Sequence, residues 1–185
     1  MSGNATRPKV AVQKFSSCDG CQLAFLNLGE DLLTLYGLVD IVHFAEAGHL
    51  AEDEPVDIAF IEGSVSTPHE LERLQKIRAN SRFLVTIGAC ATSGGLQALR
   101  NLADRREWLQ AVYPNANHLS GLGDASPLSQ AVTVDLELWG CPVTGRQVLA
   151  AVRDLRAGVA PRRERETLCL ECKRRQQVCT LVSAG

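Results

Sequence analysis

Long apolar runs are missing from this 185-residue chain, and none approaches the length that spans a bilayer. The N-terminal stretch MSGNATRPKV has no extended apolar segment and no twin arginine, so nothing in it signals export. The expected location is the cytoplasm. Charge of one sign is missing as well. Nineteen Lys and Arg against 21 Asp and Glu leave a net charge of −2, which gives nucleic acid no whole-chain attraction. No internal repeat or low-complexity tract is present. The segment GACATSGG has the glycines and hydroxyls of a phosphate cradle, but it lacks the Walker A lysine and the dinucleotide spacing. The histidines His43, His49, His69 and His118 have no metal-ligand partners at helical spacing. No nucleophile–base set stands out, so no catalytic residue is expected in the chain itself.

Apolar residues make up 45% of the sequence, enough for one main core. Strands are expected at Val10–Phe15, Val39–Phe44, Val56–Ile61, Phe83–Ile87 and Ala131–Trp139. A helix is expected over Gln22–Tyr36, from the spacing of Leu23, Phe25, Leu26, Leu28, Leu32, Leu33 and Leu35. Thr67, Pro68 and Glu70 mark the start of a second helix that runs to about Asn80. A small-residue turn at Ala91–Gly95 leads to a helix over Leu96–Ala103. Tyr113–Pro127 reads as loop and Thr144–Arg156 as helix. Alternating strands and helices predict an α/β fold: a parallel sheet flanked by helices. Nearly continuous apolar strands suit burial on both faces. Beyond Gly158 the composition changes to VAPRRERETLCLECKRRQQVC, dividing a domain at residues 1–158 from a short, basic, cysteine-bearing C-terminal extension at 159–185.

Seven cysteines are what the sequence does have. An odd number in a reducing compartment fits a disulfide framework poorly and favours metal or redox chemistry. Cys18 and Cys21 follow the first expected strand, Cys90 the fourth and Cys141 the last. All four fall at carboxyl ends of strands, the edge where sites assemble in open α/β sheets. Their neighbours, Asp19-Gly20, Gly88-Ala89, and Gly140 with Pro142, are small or turn-forming. Four sulfurs suit either zinc or an iron–sulfur cluster. One pair plus two distant singletons on a sizeable domain points to the larger object, a [4Fe–4S] cluster. Two alternatives stand beside it: a zinc-stabilised binding module, and a thiol–disulfide pair at Cys18 and Cys21, which leaves Cys90 and Cys141 unexplained.

The stretches SSCDGCQLAFLNL, IAFIEGSVST, VTIGACATSGG and LWGCPVTG together resemble the small subunit of [NiFe] hydrogenases, and most of all the delta subunit of the cytoplasmic, nicotinamide-linked sulfhydrogenase type. The resemblance runs in order through residues 8–182. It implies a flavodoxin-like domain whose Cys18, Cys21, Cys90 and Cys141 ligate a proximal [4Fe–4S] cluster. It further implies electron relay between a Ni–Fe centre, present only in a large partner subunit, and flavin- and iron–sulfur-containing diaphorase-type subunits that use NAD, NADP or another carrier. No nucleic-acid or membrane partner is implied. The 20-kDa cluster subunit of complex I is a second, weaker resemblance, because its first motif has adjacent cysteines where Asp19 and Gly20 intervene here.

Cys169, Cys172 and Cys179 form a second group. In the resembled subunits such a segment opens a domain with further clusters and further cysteines. Here the three thiols hold a second iron–sulfur cluster with an outside ligand, hold a [3Fe–4S] cluster, or remain as a reduced remnant of a truncated domain. Arg162, Arg163, Arg165, Lys173, Arg174 and Arg175 flank them without interleaved aromatics, which suits a solvated face or a docking surface better than a nucleic-acid module. Glu62, at a strand end in EGS, reads either as a cluster-adjacent carboxylate or as a solvated or helix-capping acid. The hydroxyls of Ser16, Ser17, Thr92 and Ser93 read either as donors to cluster sulfur or as local turn bonds.

Overall fold

The computed structural model describes residues 7–50, 54–115, 119, 121–161 and 168–183. Strand β1 (Lys9–Lys14) carries the buried run Val10–Gln13, as a central strand covered on both faces must. It pairs in parallel with β2 (Asp40–Phe44) on one side and β4 (Val56–Glu62) on the other. β4 pairs in parallel with β5 (Ser81–Ile87), and β5 with β6 (Leu136–Leu138). A two-residue strand, β3 (His49–Leu50), adds an antiparallel edge to β2. The order is β3-β2-β1-β4-β5-β6. The chain leaves β1 toward β2 and then returns past it to β4. The gap between β1 and β4 at their carboxyl ends is therefore the topological switch point.

Both faces are covered. On one, Phe25 of α1 (Gly20–Leu26), Leu35 of α2 (Asp31–Leu38) and Val148, Leu149 and Val152 of α6 (Gly145–Arg156) pack on Val10, Val12, Ile58, Phe60, Val85 and Ile87. On the other, Leu74 of α3 (Pro68–Ala79), Ala91 of α4 (Gly88–Ser93) and Leu128 pack on Ala59, Ile61 and Leu84. Capping boxes start α3 at Thr67 with Glu70 and α6 at Thr144 with Gln147. No helix among the described residues is long and apolar enough to cross a membrane.

Several elements differ from the sequence expectation. The helix expected over 22–36 is two helices, because Gly29 turns the chain at φ +62° between α1 and α2. The turn expected at 91–95 begins as helix α4, and the helix expected over 96–103 is a 3₁₀ segment, Gly95–Leu102. A further helix, α5 (Arg105–Val112), is capped by Asp104, whose carboxylate accepts from the Arg106 and Glu107 N–H groups. The last strand keeps only three of its nine expected residues, since Val132 and Val134 pack into the second core before the strand begins. In the extension lie α7 (Leu168–Arg174) and α8 (Thr180–Ser183). His118, Arg162, Arg163 and Arg165 fall outside the described residues.

Phe25 anchors α1 to the sheet, edge-on to Phe44 at 5.8 Å and to Phe60 at 5.2 Å between ring centroids. Phe25→Ala is expected to cost about 3–5 kcal/mol of stability. Denaturant unfolding of the purified chain checks this.

Candidate functional site

The strand–helix junctions bring Cys18, Cys21, Cys90 and Cys141 to one rim. Cys21 is the second residue of α1, Cys90 the third of α4, and Cys141 lies between β6 and α6. The Ala89 N–H donates to the Gly140 carbonyl at 2.7 Å, which ties the Cys90 and Cys141 loops together. A side chain on Gly20 would touch both Cys18 Sγ, at 3.4 Å, and Pro142 Cβ, at 3.5 Å, so Cys18 borders the Cys141 loop. Cys18 and Cys141 are exposed, Cys90 is half-buried and Cys21 is buried. All four interact electrostatically: Cys18 and Cys90 act on Cys21, while Cys18 and Cys141 act on Cys90.

Burial pushes the Cys21 thiol up to about 12, and the neighbouring Glu62, Cys90 and Cys18 push the same way, against a backbone hydrogen bond from Val143. Burial also raises Cys90, opposed by the Gln97 amide. A thiol held this firmly as SH becomes a ligand only when a bound cation displaces its proton.

Backbone without side chains lines this rim. Gly88 sits at φ +81°, and a Cβ there would run into Cys21 Sγ. Gly95, at φ +58°, lies where a Cβ would come within 2.7 Å of Cys90 Cα and 2.8 Å of its Sγ. Only glycine satisfies both the left-handed backbone and the close approach.

Glu62 ends β4, 2% exposed. Its Oε1 accepts from the Cys21 N–H at 3.0 Å and its Oε2 from the Gln22 N–H at 3.3 Å. It thereby caps α1 from the neighbouring strand, since the N-cap residue Asp19, at φ 66°, makes no cap bond. The Asp19 carboxylate instead binds Lys14 Nζ at 2.6 Å. Burial raises the Glu62 carboxyl, opposed by the backbone N–H groups of Cys21 and Gln22. Gln22 was not singled out from the sequence. Its side chain is fully buried, and neither amide atom closes a hydrogen bond. Its place beside Cys21, at the buried start of an otherwise apolar helix, was the available signal.

Three of the four hydroxyls take the local option. Thr92 donates to the Gly88 carbonyl at 3.0 Å, Ser93 to Ala89 at 2.8 Å and Ser17 to Phe15 at 3.3 Å. His43 is buried and His69 exposed, and both line a cavity that also takes in Ser16 and Ser17, just before Cys18. In the extension, Cys169 and Cys172 are one helical turn apart on α7, and Cys179 precedes α8. Among the described residues no three Cys, His, Asp or Glu stand close enough to grip a single metal ion. Four sulfurs about 2.3 Å from one zinc would lie within about 4 Å of one another. The all-sulfur donor set at Cys18, Cys21, Cys90 and Cys141, with side-chain-free backbone at Gly88 and Gly95 beside it, has the chemistry to hold a cluster. A thiol–disulfide pair fits less well, because the helix N-terminal N–H groups that would lower a thiol pKa are taken by Glu62.

Comparison with known proteins gives the family and the fold. The family model described as "NADH ubiquinone oxidoreductase, 20 Kd subunit" matches residues 18–155. Sulfhydrogenase 2 subunit delta of Pyrococcus furiosus is 32% identical over 174 residues, covering 94% of this chain and 73% of that protein. The NAD-reducing hydrogenase HoxS subunit delta of Cupriavidus necator is 30% identical over 162 residues, covering 80% and 78%. A chain in the crystal structure of NAD⁺-reducing [NiFe]-hydrogenase in the H₂-reduced state superimposes with a TM-score of 0.77 at 30% identity, covering 88% of this chain and 98% of that one.

Gly88→Ala is expected to cost more than the roughly 1–2 kcal/mol of a left-handed non-glycine residue, because Cys21 must also move. Gly37→Ala, in α2 with open space around it, should instead stabilise by about 0.4–1 kcal/mol. Paired unfolding curves of the two variants check both signs.

Proposed function

The chain belongs to the family described as NADH ubiquinone oxidoreductase, 20 kDa subunit, and within it to the delta-type small subunits of hydrogenases; on that premise we propose that it relays electrons in a cytoplasmic [NiFe] hydrogenase through a [4Fe–4S] cluster held by Cys18, Cys21, Cys90 and Cys141. The observation that carries this reading is the convergence of those cysteines, from separate strand–helix loops, at the carboxyl edge of a parallel sheet. The complex I reading is not favoured, since the similar proteins above are hydrogenase subunits and Asp19-Gly20 separates the first two thiols.

Such a cluster, when bound, supplies one-electron redox chemistry. The chain's own residues do the rest. Its thiolates ligate, and burial at Cys21 excludes water. The Val143 N–H and the Gln97 amide lie near the Cys21 and Cys90 thiols and favour their ionised forms, and donors of that kind tune potential. H₂ is turned over at a Ni–Fe centre in a large partner subunit. The carrier, NAD or NADP, is served by flavin- and iron–sulfur-containing diaphorase-type subunits. The extension adds a second iron–sulfur site at Cys169, Cys172 and Cys179, with Lys173, Arg174 and Arg175 forming a face toward an electron-transfer partner rather than nucleic acid.

A permanent partner also accounts for exposed apolar surface beside the site. In the 3₁₀ segment after Cys90, three-residue spacing puts Leu96, Leu99 and Leu102 on one ridge, 76%, 56% and 80% exposed. Leu23, on the helix after the first cysteine pair, is 44% exposed.

Anaerobic absorption spectra with iron and acid-labile sulfide analysis test the proposal. Wild type should contain both, and Cys90→Ser should lose cluster absorbance and H₂-linked electron transfer together. Survival of both in the variant removes Cys90 from the ligand set. Zinc without sulfide in wild type replaces the cluster with the zinc module. Leu96→Lys with Leu102→Lys should reduce co-purification with the large subunit while leaving the cluster spectrum intact, which pull-down from anaerobic extracts measures.

A further inference from the structure

Glu62 does more at this rim than end a strand. Both of its oxygens accept backbone N–H groups, from Cys21 at 3.0 Å and Gln22 at 3.3 Å. These bonds cross 41 and 40 residues of sequence. The side chain is buried and lies within electrostatic reach of both Cys21 and Cys90. Asp19, the other carboxylate acting on Glu62, is held by Lys14 at 2.6 Å. Among the described residues Glu62 forms no ion pair, and its two bonds are to neutral amides.

Two physical effects follow, and they act in the same direction. Backbone N–H groups that point at cluster sulfur stabilise the reduced, more negative state and raise the reduction potential. The Cys21 and Gln22 N–H groups are engaged by Glu62 and so are withheld from any sulfur at the rim. A carboxylate beside the rim also opposes the arrival of an electron, and burial strengthens that opposition. We propose that Glu62 is a positioning residue that clamps the Cys18–Cys21 loop in its ligating conformation and holds the potential of the proximal cluster low. This rests on the cluster reading given above.

The test uses Glu62→Gln, Glu62→Asp and Glu62→Ala in the co-purified hydrogenase complex, at one fixed pH. Midpoint potentials come from redox titration followed by electron paramagnetic resonance. Glu62→Gln keeps the volume and one acceptor but not the charge or the second acceptor, so its potential should move to a more positive value. Glu62→Ala should move at least as far, and Glu62→Asp should return toward wild type. A residue that merely capped α1 would lower stability and leave the potential in place. An unshifted potential in Glu62→Gln with full iron and sulfide content therefore overturns the tuning role, and a negative shift does the same.

A second measurement separates this inference from the cluster reading. In the metal-free full chain, Cys21 alkylation by iodoacetamide is followed by peptide-resolved mass spectrometry. Loss of the clamp in Glu62→Gln and Glu62→Ala should speed it about tenfold or more, the scale of a lost hydrogen bond to a charged group. Equal rates overturn the clamp. Absence of iron and sulfide from wild type overturns the cluster reading, and the alkylation rates still decide the clamp.

Discussion

Helix α1 begins without a cap of its own, and a carboxylate on the adjacent strand supplies one. That bond from Cys21 N–H to Glu62 fixes where the second cysteine of the first loop sits, and the rest of the rim is shaped around it. With Cys21 Sγ directed inward, position 88 has no room for a side chain, which is why the turn from β5 into α4 is made by glycine at positive φ. The Cys90 loop is then tied to the Cys141 loop by the Ala89–Gly140 bond. Cys18 completes the rim against Pro142. Long-range contacts, between β1, β4, β5 and β6, set the geometry, and no single segment contains it.

The arrangement carries a local cost. A buried thiol, a buried carboxylate and a buried, unpaired Gln22 amide share one corner of the molecule, and each is less stable there than in water. The two apolar cores on either face of the sheet offset that cost. Phe25, Phe44 and Phe60 on one face, and Leu74, Leu84 and Leu128 on the other, are almost completely buried. Strain concentrated at a rim and supported by a well-packed sheet is the pattern of a functional site. Ligation by metal would relieve the thiol part of it, because the proton held at Cys21 leaves as the cation arrives.

The continuous apolar runs at Val10–Val12, Ile58–Ile61 and Phe83–Ile87 announce buried parallel strands, and the Thr67-Pro68-Glu70 and Thr144 signals announce α3 and α6. Those features are local, so sequence displays them. The break at Gly29 is hidden, because the leucines on either side keep helical spacing through it. The shortening of β6 is hidden because apolar Val132 and Val134 look like strand while packing elsewhere. Helix α5 has a local signal in Asp104 and the amphipathic residues after it, outside the elements expected from the sequence. At the site, cysteine types and their strand-end positions pointed to the rim, but the Glu62 cap spans some 41 residues and depends on a register that only the folded sheet provides. The same holds for the orphaned Gln22 amide.

The most direct test of a sulfur cage at the switch point is X-ray absorption at the iron and zinc edges on one anaerobically purified sample. Iron surrounded by sulfur, with neighbouring iron in the next shell and diminished in a Cys141→Ser variant, is the expected result. Zinc bound by four isolated sulfurs, or iron whose environment ignores that substitution, contradicts it.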